Sequence, residues 1–129
     1  MPTMWFVDEV SLSRFLEILK TYRYSVGSED RFQRGVEQAL RRHGIVFLRE
    51  HQLGRPYGRI DFYLPDVKVG IELKVKGSPS QVLRQLHRYA YCPDISALIL
   101  LTARARLAFS PMQVNGRPLV SVPVWEGQL

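Results

Sequence analysis

Apolar residues recur along this chain in two different rhythms, and the points where the rhythm changes divide it into elements. Over residues 7–22 they fall at Val7, Val10, Leu12, Phe15, Leu16, Leu19 and Tyr22, close to the i, i+3, i+4, i+7 spacing of a helix with one buried face. Such a face packs on a core or serves as a contact with a partner. Ser25-Val26-Gly27-Ser28 interrupts the pattern. Ser28 is suited to cap a second helix whose first turn carries Glu29 and Asp30, acids that complement the helix dipole. Phe32, Val36, Ala39 and Leu40 form its stripe, and Arg41-Arg42-His43-Gly44 closes it with basic residues and then a glycine, a common helix ending.

The rhythm then shortens. Residues 45–49 read as a short apolar strand, and residues 51–58 as a loop containing Gly54, Pro56 and Gly58. Residues 59–64 and 69–75 are rich in β-branched and aromatic side chains and flank Pro65-Asp66-Val67-Lys68, which predicts a hairpin. Gly77-Ser78-Pro79-Ser80 breaks the second strand and opens a helix over residues 80–91, capped by Ser78 or Ser80. Its buried face is Val82, Leu83, Leu86 and Tyr89 or Ala90. Residues 97–102 are continuously apolar, as in a strand covered on both faces, and a helical link makes this strand parallel to the preceding one, with a right-handed crossover. A short helix over 103–109 follows. Asn115-Gly116 turns the chain between 112–114 and a last segment over 119–124 that ends in Trp125. Pro118 and Pro123 assign that segment to a sheet edge.

The hairpin carries the candidate chemistry. If residues 65–68 form its loop, Leu64 faces Val69, and counting back sets Asp61 opposite Glu72, with Cβ atoms about 4.5–5.5 Å apart. Lys74 points to the same side as Glu72. Two carboxylates so close repel unless a cation lies between them, and oxygen ligands suit Mg²⁺. A lysine beside them can position a water or stabilise charge on a phosphate. The set points to phosphodiester hydrolysis.

The order Asp61, ten residues, Glu72-Leu73-Lys74, with the tripeptide inside the apolar strand Val69, Ile71, Leu73, Val75, resembles the PD-(D/E)XK nuclease superfamily, the restriction-endonuclease-like fold. The resemblance covers about residues 28–102 and implies an α/β fold with an αβββαβ core, here preceded by one extra helix. Asp61 follows Ile60 rather than proline. Pro65-Asp66 spells the motif literally, but the register puts Asp66 at the hairpin tip, away from Glu72. By this resemblance Asp61, Glu72, Lys74, Gln85 and Tyr89 are the catalytic set, and Asp61, Glu72 and the Leu73 carbonyl hold Mg²⁺ or Mn²⁺ with help from an acid on the preceding helix. Glu29, between Phe32, Val36 and Leu40 on the helical wheel, is favoured over Glu37 for that acid. Glu29-x3-Gln33 is also similar to the opening helix of small virus-type replication-repair nucleases. Gln85-x3-Tyr89 resembles the helix after E-x-K in RecB-like and Cas4-like members, where both side chains look toward the active centre; Gln81 is an alternative to Gln85.

Charge strengthens this picture. Lys and Arg number 18 against 12 Asp and Glu, for a net +6, and a basic excess suits a polyanionic partner. Arg55, Arg59, Arg84 and Arg88 are the candidate DNA-binding residues, with Arg104 and Arg106 adding to the basic surface; for Arg55 and Arg59 solvation explains the charge equally well. At 129 residues the chain is expected to be one domain: an N-terminal helical extension over 1–27, a catalytic core over 28–102 and edge strands over 103–129. No apolar run reaches the roughly 18–20 residues of a membrane span. The start lacks the pattern of a secretion signal, and the single Cys92 fits a reducing compartment, so a cytoplasmic location is expected, that of the host if the chain is viral. His43, His51 and Cys92 do not have the spacing of a zinc site, and Cys92 reads as a buried packing residue. The expected activity is a metal-dependent deoxyribonuclease, structure-directed or weakly sequence-specific, in repair or phage and mobile-element processes. A dimeric Holliday-junction resolvase and a non-catalytic DNA-binding module are the alternatives.

Overall fold

The computed structural model describes residues 9–124. Val7 and Trp125, the expected ends of the first helix and last strand, lie outside the described residues. Helix α1 (Glu9–Thr21) buries Leu12, Phe15, Ile18 and Leu19, so its apolar stripe packs on the core. Helix α2 (Glu29–Arg42) starts where Ser28 Oγ accepts the Arg31 N–H at 3.1 Å. It buries Phe32, Gln33, Val36, Ala39 and Leu40.

Six strands form one mixed sheet: β1 (Leu48–Gln52), β2 (Arg59–Leu64), β3 (Val69–Lys74), β4 (Ala97–Thr102), β5 (Met112–Val114) and β6 (Arg117–Pro123), in spatial order β1-β2-β3-β4-β6-β5. The fold is α/β. Helix α3 (Pro79–Ala90) carries the chain from β3 to β4, and these two strands pair in parallel, as a helical crossover requires. Strands β4 and β6 are also parallel; the other pairs are antiparallel. All six residues of β4 are buried, because α1 and α2 cover one face of the sheet and α3 the other. Phe62, Ile71, Leu73, Ile99 and Leu101 pack on the first face; Tyr63, Leu98, Leu100 and Leu119 pack with Val82, Leu86 and Tyr89 on the second.

Three expectations are corrected. Strand β1 begins three residues later than residues 45–49, so His51 and Gln52 belong to the sheet rather than to a loop. Being an outer strand, β1 takes its limits from pairing with β2 and not from its own apolar run. Strand β6 is interior, and β5 is the edge. Its prolines are tolerated because Pro118 precedes the first pair with β4, Leu98 with Leu119, and Pro123 is the last residue. The short helix after β4 is a single 3₁₀ turn over Ala105–Leu107. Among the described residues no helix is long and apolar enough to cross a membrane.

Candidate active site

Strands β2 and β3 pair through Leu64–Val69, Tyr63–Gly70 and Phe62–Ile71, the register expected from the hairpin. The next pair in that register is Asp61 with Glu72, and here side chains take over from the ladder. The Asp61 N–H donates to Glu72 Oε1 at 3.1 Å, and the Leu73 N–H donates to Asp61 Oδ2 at 2.9 Å. Each carboxyl thus accepts an amide from the end of the hairpin and is aimed by it.

Strand β2 is twisted at this point. Phe62 and Leu64 pack toward α1 and α2, yet Ile60 joins Tyr63 on the α3 side, so strict alternation fails between Ile60 and Phe62, at Asp61. Opposite, Glu50 of β1 has φ +49° and is skipped between the pairs Arg49–Phe62 and His51–Ile60. The register is the same on both sides of the gap, so nothing is inserted. A left-handed non-glycine residue is uncommon and marks local distortion.

Lys74 Nζ lies 3.6 Å from Glu72 Oε2. Its backbone is fixed from the far side, where Ala103 N–H donates to the Lys74 carbonyl at 3.2 Å. Beyond it Arg104 Nε donates to the Val75 carbonyl at 2.8 Å and Arg106 Nη1 to the Gly77 carbonyl at 2.7 Å. Ser78 then caps α3 in a capping box with Gln81, and Pro79 occupies the first turn. Lys74, Lys76, Gly77, Gln81, Arg84, Gln85 and Arg88 line a groove of about 300 Å³ at this end of β3.

Burial raises the pKa of both carboxyls. For Asp61 burial is the main cause, opposed by the Leu73 N–H, while the charge of Glu29 adds to the rise and Lys74 counters it. Glu72, 4% exposed, is pushed up to about 8, by burial and then by the charge of Asp61, with Lys74 opposing. Two carboxyls that resist joint ionisation, built of hard oxygens and offset by one lysine, form a donor set that fits a divalent cation such as Mg²⁺ or Mn²⁺. Among the described residues no three His, Cys, Asp or Glu side chains gather into a metal-holding group. A cation here would complete its shell with the Leu73 carbonyl or with water, as Mg²⁺ commonly does.

The remaining expected residues divide. Arg84 and Arg88 are exposed on the groove wall, and Arg88 Nε donates to the Tyr57 carbonyl at 3.2 Å. Gln85 and Gln81 both line the same groove, and Gln81 is also used in the cap. Tyr89 is 1% exposed, lying on the buried stripe of α3, and its hydroxyl donates to the Arg59 carbonyl at 2.6 Å while accepting from Gln85 Nε2 at 2.9 Å. Burial and the nearby acids raise its pKa, so it is a fixed donor that ties α3 to β2. Arg59 pairs with Glu50 at 3.4 Å, and Arg55 is exposed in the loop before β2. Glu29 is exposed at the start of α2, near enough to Asp61 for its charge to raise that carboxyl's pKa. Glu37 is held by Arg41 and Arg49.

Gln33, Arg49 and Lys76 were not among the expected site residues. Gln33 Nε2 lies 3.5 Å from Asp61 Oδ1, and its buried place could have been found as the polar member of the stripe beside Phe32 and Val36. Arg49 meets its partners across 12 to 16 residues, which leaves no local signal. No family model, curated protein or solved structure matches this chain.

Proposed function

We propose that this chain is a Mg²⁺- or Mn²⁺-dependent deoxyribonuclease of the PD-(D/E)XK type. The observation that carries the reading is the junction of β2 and β3. There the Glu72 carboxyl accepts the Asp61 N–H and the Asp61 carboxyl accepts the Leu73 N–H, and Lys74 reaches Glu72 beside a groove lined by Lys76, Arg84 and Arg88. Asp61, Glu72 and the Leu73 carbonyl hold the cation, which supplies a Lewis acid and lowers the pKa of water. Lys74 orients the attacking water and offsets negative charge on the phosphate. Arg84 and Arg88 hold neighbouring phosphates of the strand, Gln85 lines the same groove, and Tyr89 keeps α3 fixed against β2.

The test is a panel of labelled linear duplex, single-stranded, four-way-junction and RNA substrates incubated with Mg²⁺ or Mn²⁺. Metal-dependent cleavage of DNA is expected, lost on adding EDTA. Asp61→Ala and Lys74→Ala should each abolish it with the folded circular-dichroism spectrum retained. Full metal-dependent cleavage by either variant would refute the assignment.

A further inference from the structure

Gln33 is a buried amide, 8% exposed, set between a residue that can only donate and one that, when ionised, can only accept. Arg49 Nη2 donates to its Oε1 at 2.5 Å, and its Nε2 faces Asp61 Oδ1 at 3.5 Å. A guanidinium has no acceptor, so it binds the carbonyl end of an amide. The –NH₂ end is thereby turned toward Asp61. Arg49 is itself anchored, since Nη1 donates to Glu37 Oε1 at 3.1 Å and the other oxygen of Glu37 accepts from Arg41 at 2.8 Å.

From this chain we infer that Arg49 is a positioning residue for Asp61, acting through the orientation of the Gln33 amide. The inference rests on the reading of Asp61 as a metal ligand. Without Arg49 the amide is held only by its 3.5 Å contact with Asp61 and is free to turn away, so the carboxylate loses the donor that shares its hold with the Leu73 N–H. Glu37 serves the site at one further remove, by holding the guanidinium. The plainer role for the same contacts is a surface ion pair joining β1 to α2, which would affect stability alone.

Arg49→Met removes the donors and keeps the apolar stem. Mg²⁺ is titrated calorimetrically into the full chain, the Gln33 side-chain amide is followed by ¹⁵N–¹H NMR in the metal-free protein, and melting is recorded in parallel. Expected are a roughly tenfold loss of Mg²⁺ affinity, the low end of what outer partners of metal ligands cost, and a displaced or broadened Gln33 amide pair. Arg49→Lys should restore most of both. Gln33→Met should match Arg49→Met, and the double variant should be no weaker than either. An unmoved Gln33 amide, losses that add in the double variant, or a lowered melting point with unchanged Mg²⁺ affinity would each overturn the inference. If the wild-type chain takes up no Mg²⁺, the nuclease reading falls and this inference falls with it; if the wild type binds Mg²⁺ and Arg49→Met binds it equally well, the inference alone is overturned.

Discussion

Glu72 bears the heaviest electrostatic demand of any single residue in the site. Its carboxyl is raised from 4.5 to about 8 by burial and by Asp61, so in the metal-free protein it keeps a proton that the unfolded chain has lost. Between those two values the native state binds more protons than the unfolded one, and stability falls as pH rises. The contribution is fully present below about pH 4.5 and gone above about pH 8. Glu72→Gln has the shape of the protonated acid and no proton to lose. Melting in EDTA should therefore show wild type losing stability relative to Glu72→Gln across this window, by at most a few kcal/mol, with Mg²⁺ reducing the loss. Parallel pH profiles of the two proteins would show that Glu72 is not a buried acid. The pairing of Asp61, Glu72 and Lys74 was legible in the sequence because hairpin register is counted from a turn. Gln33 was legible as the polar member of the α2 stripe, but its partner Arg49 was not, because the two meet only after β1 has been laid beside β2.

At the scale of elements, β3 passes between β2 and β4, and Gly70 makes room there for the side chains of Ile60, Leu98 and Ile95. A Cβ there would run into Ile60 Cδ1 and come within 2.9 Å of Leu98 Cδ2 and 3.1 Å of Ile95 Cδ1. All three neighbours are at most 1% exposed, so their ends have little freedom to move aside. Gly70→Ala should cost about 1–3 kcal/mol, measured by urea denaturation, and Gly70→Val more. An unchanged midpoint would mean that the α3 face yields more easily than its packing implies. Elements with strong local signals formed as the sequence predicts: Ser28 caps α2, Ser78 caps α3, and the all-apolar β4 is covered on both faces. Outer strands were less legible. In the run that suggested a strand over residues 45–49, Ile45 and Phe47 pack on the core while Val46 and Leu48 are 56% and 43% exposed, so its apolar residues alone do not mark where pairing with β2 begins. Likewise, prolines at the two ends of β6 do not reveal that β5 folds over its outer side.

Over the whole molecule the charges are unevenly compensated. Among the described residues the ion pairs of Asp30, Glu37 and Glu50 tie up Arg34, Arg41, Arg49 and Arg59, on α2, β1 and β2. None of the ion pairs involves Lys76, Arg84, Arg88, Arg104 or Arg106, which gather at the groove and at the loop after β3. Part of the net charge of +6 is thus expressed beside the two acids, where a polyanion would meet Lys74. Each phosphate neutralised on duplex DNA adds about −0.9 to the slope of log affinity against log salt. With Ca²⁺ in place of Mg²⁺ to suppress cleavage, Arg84→Gln with Arg88→Gln should therefore make that slope less negative by up to about 2 and weaken binding alike on unrelated sequences. The same change at Arg34 and Arg41, whose charges are already paired on α2, should leave the slope nearly as it is. Equal effects from the two pairs would mean that net charge, rather than the groove beside Lys74, determines where the nucleic acid binds.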